Sequence, residues 1–110
     1  MALNKKNRLK KKRDFEDVFK KGRAVKGAFL FIKYKKNELS VPRFGFVVST
    51  KVAGKAVERN KIRRILSEGV RGMIDSLDSY DIIVVVTHKI TTAHREGMAD
   101  DFLGVLKKIQ

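Results

Sequence analysis

The sequence predicts an α+β fold, a single-domain α-β sandwich in which a small mixed sheet carries helices in the order α-β-β-α-β-α. Three observations carry that prediction. The stretch "AFLFIKYKK" is dense in aromatic and β-branched residues, "YDIIVVVTH" is a continuous apolar run, and between them residues 56–73 repeat apolar side chains with the period of a helix. At 110 residues the chain has room for one modest core, and it shows neither an internal repeat nor a linker, so 1–110 reads as one domain.

Residues 1–13, including "KNRLKKKR", read as a flexible basic arm. In "DFEDVFKKG", Asp14 at an N-cap position, Asp17 three residues on and Gly22 as a stop mark a short first helix. "AFLFIKYKK" is the first strand; "NELSVP" connects it to a second, "RFGFVVST", and the two are expected to pair as neighbours. From Lys55 or Ala56 a long helix sets in, with Ile62, Ile65, Leu66, Val70 and Met73 down one side, until "DSLDS" breaks it. "YDIIVVVTH" is a strand buried on both faces. Met98, Phe102, Leu106 and Ile109 recur at helical spacing and give the closing helix.

Charge points to the partner. The chain carries 26 Lys and Arg against 12 Asp and Glu, a net +14. Residues 1–71 hold 22 basic and 6 acidic side chains, whereas residues 72–110 hold 4 and 6. The first two-thirds therefore generate the field that attracts a polyanion, and the last third closes the fold. No basic segment pairs its charges with the broad apolar face that membrane insertion requires. No apolar run approaches the roughly 18 residues of a spanning helix, and the N-terminus lacks the apolar segment of a secretory signal, so a cytoplasmic protein is expected. Nucleic acid is the favoured partner. The absence of cysteine removes disulfides, thiolate metal sites and cysteine nucleophiles.

The densest charge lies in "AVERNKIRRILSEGVR". Side chains three and four apart share a helix face, which places Arg59, Arg63 and Ser67 in one row with Asn60, Arg64 and Arg71 beside it, opposite the apolar stripe. A solvated face laced with ion pairs is the ordinary reading of such a run. Here only Glu58 and Glu68 are local partners for Arg59, Lys61, Arg63, Arg64 and Arg71, and each like-charge pair costs a few tenths of a kcal/mol, roughly. That repulsion asks for an external anion. Arginine's planar fork suits phosphate, and the amide of Asn60 can donate and accept toward a phosphate, a sugar hydroxyl or a base edge. The helix reads as a backbone clamp for RNA or DNA. A helix-turn-helix would need two adjacent helices, whereas this helix is flanked by strands.

Other chemistry finds little footing. "VAGKAV" lacks the first glycine and the Ser/Thr of a phosphate-binding loop. His88 and His94 have no carboxylate or cysteine at a ligand spacing, and Asp75, Asp78, Asp81, Asp100 and Asp101 lie outside the basic segment. No catalytic side chain, protein-held metal or small-molecule substrate is expected.

"NRLKKKRDFEDVFKKG", "RFGFVVSTKVAGKAVERNKIRR" and "YDIIVVVTH" together resemble the protein subunit of bacterial ribonuclease P over nearly the whole chain, most specifically in "ERNKIRR" after "GKAV". The resemblance implies that Arg59, Asn60, Lys61, Arg63, Arg64 and Arg71 bind the catalytic RNA subunit. The family pattern usually continues with an arginine where this chain has Ser67, and Arg71 stands one turn later to take over part of that contact. It also implies that the RNA subunit, with Mg2+ bound mainly by RNA, hydrolyses the 5′ leader from precursor tRNA. An unusual left-handed β-α-β crossover comes with the family.

The resemblance further implies a cleft for the single-stranded leader between the first helix and one sheet face, with Arg8, Lys11, Phe15 and Phe19 as contacts. From pattern alone, Phe15, Val18 and Phe19 are a stripe that packs the helix on the sheet; in a basic groove the same rings can stack on unpaired bases for about 1–3 kcal/mol each. The strand alternates, with Phe29, Phe31 and Lys33 on one side and Leu30, Ile32 and Tyr34 on the other. Aligning it by its first phenylalanine favours Ile32 and Tyr34 for the cleft. A structural or ribosomal RNA-binding protein is the alternative function, and it would have no use for aromatics facing a single strand.

Overall fold

The computed structural model describes residues 3–109, so the first two residues of the basic arm and Gln110 lie outside the described residues. The helices are α1 (Lys12–Lys21), α2 (Ala56–Arg71) and α3 (Arg95–Lys107); the strands are β1 (Arg23–Lys26), β2 (Leu30–Lys36), β3 (Arg43–Val47) and β4 (Tyr80–Val86). The order α-β-β-β-α-β-α contains one strand more than the sequence pattern predicts. β1 has only four residues, is mostly exposed and is flanked by Arg23 and Lys26, so it carries no alternation to read. Its cations suit an edge strand, where charge discourages pairing with another chain.

The sheet order is β1-β2-β4-β3. The expected pairing of β2 with β3 is therefore incorrect: β4 lies between them, antiparallel to β2 and parallel to β3. The reason is burial. Ile82, Ile83 and Val84 are each fully buried, which requires cover on both faces and hydrogen-bonded neighbours on both edges. Residues 37–42 carry the chain past the start of β4, and the Asn37 amide N–H donates to the Ser79 carbonyl (2.9 Å).

The register assigns the faces. Leu30, Ile32, Tyr34, Phe44, Phe46, Ile82, Val84 and Val86 share the inner face; Phe31, Lys33, Lys35, Gly45, Val47, Ile83 and Val85 share the outer one. The inner face forms the main core with Ile62, Leu66 and Val70 of α2 and Met98, Phe102, Val105 and Leu106 of α3. Each such side chain contributes about 1.5–3 kcal/mol on burial. α1 packs alone on the outer face.

Two local expectations also change. α1 begins at Lys12 with Lys11 at the N-cap, placing Asp14 in the first turn, where a carboxylate still opposes the helix dipole favourably. Gly22 ends the helix with φ −77°, and its small size is what counts: a Cβ would stand 2.9 Å from the Tyr34 carbonyl oxygen. The segment read as a flexible arm is anchored from Leu3 onward. Leu3 and Leu9 are buried, the Leu9 N–H donates to the Phe44 carbonyl (2.8 Å), and buried Asn7 donates to the Pro42 carbonyl (2.9 Å). Its apolar residues at 3 and 9 supply the anchor, and they cover the free edge of β3.

Candidate RNA interface

α1 crosses the strands over the end of the outer face nearest Asp81. Val18 is buried with Leu9 and Ile83, and the Phe15 ring sits on Gly45, where any Cβ would collide with it. Charge braces complete the dock. Arg43 donates through Nε and Nη2 to the two carboxylate oxygens of Asp81 (2.8 and 2.7 Å) and reaches Asp14 at 3.5 Å. Asp17 pairs with Lys35 across the interface and with Lys21 along the helix (3.3 Å). The Lys35 hydrogen bond holds the Asp17 carboxyl below its ordinary range and raises the lysine in return; the Asp81 bonds raise Arg43.

Beyond α1 the outer face stays open. Phe31, Lys33, Val47 and Val85 are only half-buried there, Lys33 Nζ donates to the Phe19 carbonyl (3.3 Å), and the Phe19 side chain is 41% exposed. The result is a cleft with an aromatic helical wall and a floor that is apolar along β4 and cationic along β2. Such a groove can hold a single strand by stacking and phosphate attraction without reading its sequence.

The predicted leader contacts divide. Phe15 and Phe19 are both on α1 at this cleft, Phe15 seated and Phe19 exposed. Arg8 runs along β3, half-buried, with a buried Nε that lacks a hydrogen-bond partner among the described residues. Lys11 is exposed at the start of α1. Ile32 and Tyr34, however, are misassigned: Ile32 is 0% exposed in the main core, and Tyr34 lies on that same inner face with its ring edge-on to Tyr80 at 5.3 Å. Phe31 and Lys33 occupy the cleft floor in their place. A signal was available, since the set Phe31, Lys33 and Lys35 carries the cations and therefore belongs to the side that water reaches, while Leu30 and Ile32 belong to the core.

The second basic surface is α2. Arg59 is turned back on its own chain, donating from Nη1 to the carbonyls of Ala53 (3.1 Å) and Gly54 (2.9 Å), so it closes the turn that leads into the helix. Asn60 is exposed, and its Oδ1 accepts from Arg63 Nη1 (3.0 Å), which fixes that guanidinium on the surface. Lys61 approaches Glu58 (3.8 Å), and Glu58 also pairs with Arg95 of α3 (2.8 Å). Arg64 and Arg71 are exposed with no carboxylate within 4 Å among the described residues. Ser67 departs from the expected basic row. It is 0% exposed, beside Leu66 and Val70, and its hydroxyl donates to the Arg63 carbonyl (2.8 Å). The buried stripe widens there, so residue 67 faces the core edge.

Asp81, Asp101 and the two histidines have structural partners. Asp101 accepts from the amides of Ala28 and Phe29 (both 2.9 Å), and Phe29 packs between the rings of His88 and His94. Among the described residues no three His, Cys, Asp or Glu side chains gather to hold a metal ion, and no helix is long and apolar enough to cross a membrane.

Family and fold likeness point the same way. The model of the ribonuclease P family matches residues 3–110. The ribonuclease P protein component of Syntrophomonas wolfei is 38% identical over 107 residues, covering 96% of this chain and 89% of that one. That of Fusobacterium nucleatum is 42% identical over 84 residues, covering 76% and 75%. Among solved structures, a Staphylococcus aureus RNase P protein mutant with defective mRNA degradation activity superposes with a TM-score of 0.84 at 30% identity, covering 96% of this chain and 89% of that one. The RNase P protein from Thermotoga maritima gives 0.77 at 28% identity, covering 94% and 97%. This chain belongs to the ribonuclease P protein family, whose members are subunits of the endoribonuclease that matures the 5′ ends of tRNA.

Proposed function

We propose that the chain performs the family's task through two separate surfaces, with α2 docking the ribonuclease P RNA and the α1 cleft holding the 5′ leader of precursor tRNA. On α2, Asn60, Lys61, Arg63, Arg64 and Arg71 face the RNA backbone, while Arg59 shapes the turn that presents them. In the cleft, Phe15, Phe19, Phe31 and Lys33, with Arg8 and Lys11 at its approach, hold the leader. The observation that carries the reading is Phe19: a phenylalanine left 41% exposed beside a half-open, partly cationic sheet face needs a flat apolar partner, and an unstacked base is one.

The protein's chemical part is positional. Holding the leader and the RNA subunit on one rigid domain converts part of substrate capture into an intramolecular event, which lowers the entropy cost of reaching the reactive geometry. In this reading Mg2+ held mainly by the RNA subunit, as the family resemblance implies, would supply the hydrolytic chemistry. A precursor-tRNA substrate places the work in the cytoplasm.

The test is cleavage of a precursor tRNA by the cognate ribonuclease P RNA at low magnesium, with and without the protein. Stimulated cleavage at the correct 5′ end is expected. Tight RNA binding with no stimulation would overturn the reading in favour of a structural RNA-binding protein.

A further inference from the structure

On the far side of α1 from the cleft, the end of the sheet holds a recess of about 270 Å3 lined by Lys21, Arg23, Tyr34, Lys35, Lys36 and Tyr80. Three features set it apart from an ordinary charged surface. Its floor is two tyrosines packed edge to face, 5.3 Å apart at 88°, both half-buried against the main core and therefore fixed. The cations outnumber their counterions: Asp17 serves both Lys21 and Lys35, while Arg23 and Lys36 have no carboxylate within 4 Å among the described residues. Neither tyrosine hydroxyl has a hydrogen-bond partner within the described residues. The volume lies just under the roughly 300–1,000 Å3 typical of small-ligand sites, a size for one nucleotide and not for a folded helix of RNA.

We propose that this recess is a second single-strand RNA site, which takes one nucleotide with its phosphate on Arg23 and Lys36 and its base against Tyr34 and Tyr80. Guanidinium and ammonium groups supply charge-assisted bonds to phosphate, and a fixed ring gives a base a stacking surface without sequence preference. Its place at the C-terminus of α1 gives it two sources of strand. A leader lying in the cleft past Phe19 reaches the recess by turning around Lys20 and Lys21, which would add an upstream contact to long leaders. An unpaired nucleotide of the RNA subunit is the other. The leader source rests on the cleft reading given above, whereas the recess chemistry does not.

The protein has two tyrosines and no tryptophan, and both tyrosines line this recess, so its intrinsic fluorescence reports on the site alone. A short uridine oligomer titrated into the full chain should quench that emission saturably, with the quench weakened about tenfold or more in R23A/K36A. It should persist in Phe19→Ala, which damages only the cleft. Binding by anisotropy without any quench would place the strand in the cleft or on α2 and overturn the proposal. A quench unchanged in R23A/K36A would overturn it as well; both residues are exposed, so the double variant is expected to keep the fold, which circular dichroism checks. With holoenzyme, loss in R23A/K36A confined to long-leader precursors assigns the strand to the leader; equal loss on long, short and absent leaders assigns it to the RNA subunit. Failure of Phe19→Ala to weaken leader binding would count against the cleft while leaving the recess standing.

Discussion

The two faces of the sheet solve the same problem by opposite means. The inner face is sealed by α2 and α3, and its contacts are apolar: Ile32, Phe44, Ile82 and Val84 meet Leu66, Met98 and Phe102 with no charge among them. The outer face is covered by α1 alone, on a small apolar patch of Leu9, Val18 and Ile83 reinforced by Asp14, Arg43, Asp81, Asp17 and Lys35. One short helix cannot cover four strands, so half of that face stays open and becomes the cleft. The inner face is given over to packing, while the outer face keeps an open groove beside α1, the groove proposed above for the leader, and the charge braces help a ten-residue helix to hold its angle without closing it.

That division makes adjacent residues of one strand behave oppositely. Ile32→Ala should cost about 2–5 kcal/mol in a denaturant titration, as a large-to-small change in a packed core does. Phe31→Ala should leave stability nearly unchanged and weaken binding of leader-bearing precursor. If Ile32→Ala were stable and selectively impaired leader binding, the faces would have to be exchanged.

Gly45→Ala tests the seat of α1. Its Cβ would collide with the Phe15 ring, and since overpacking costs about 1–3 kcal/mol, both stability and leader affinity should fall together. A neutral result would show that α1 can shift on the sheet without consequence.

Phe19→Ala should spare stability yet reduce affinity for precursor tRNA roughly 5- to 150-fold, the equivalent of about 1–3 kcal/mol of stacking. The effect should vanish on a substrate without a leader. Equal losses on both substrates would remove Phe19 from the cleft.

On α2 the expected signature is salt dependence. With about six phosphates neutralised, RNA affinity should fall as roughly the fourth to fifth power of salt, and Arg64→Ala should lower that exponent by about one. A flat response would eliminate the clamp.

The smallest effect concerns the Asp17–Lys35 brace. Asp17 is held below its ordinary 3.8, so its contribution is full above that value and fades as pH falls through the lowered folded value. Lys35 is raised above 10.5, so its contribution is full below 10.5 and fades as pH rises through the raised value. Stability should therefore be insensitive to this pair near neutrality, and Asp17→Asn should flatten only the acid limb of the stability profile. An unaltered acid limb would show that the brace does not hold α1.

Much of this was legible in one dimension because it is periodic. The 3.6-residue spacing from Ile62 to Val70 fixes a helix, the apolar run 82–86 demands a doubly covered strand, and five cations between 59 and 71 must leave the core. Where the pattern is short or two-sided, it carries less: "RAVK" is too brief to alternate, and in "LFIKYK" apolar side chains stand on both faces, so only its lysines mark the side that water reaches.

By itself the sequence determined the fold class, the long basic helix, the polyanionic partner and the family, since local spacing and summed charge do not depend on how elements meet. Tertiary structure alone decided that β4 separates β2 from β3, that Ser67 and Ile32 are buried, that Arg59 closes a turn, and that two tyrosines 46 residues apart share a recess with Arg23 and Lys36. Those outcomes depend on which strand wins the centre of the sheet and which helix covers each face, and that competition among burials is global.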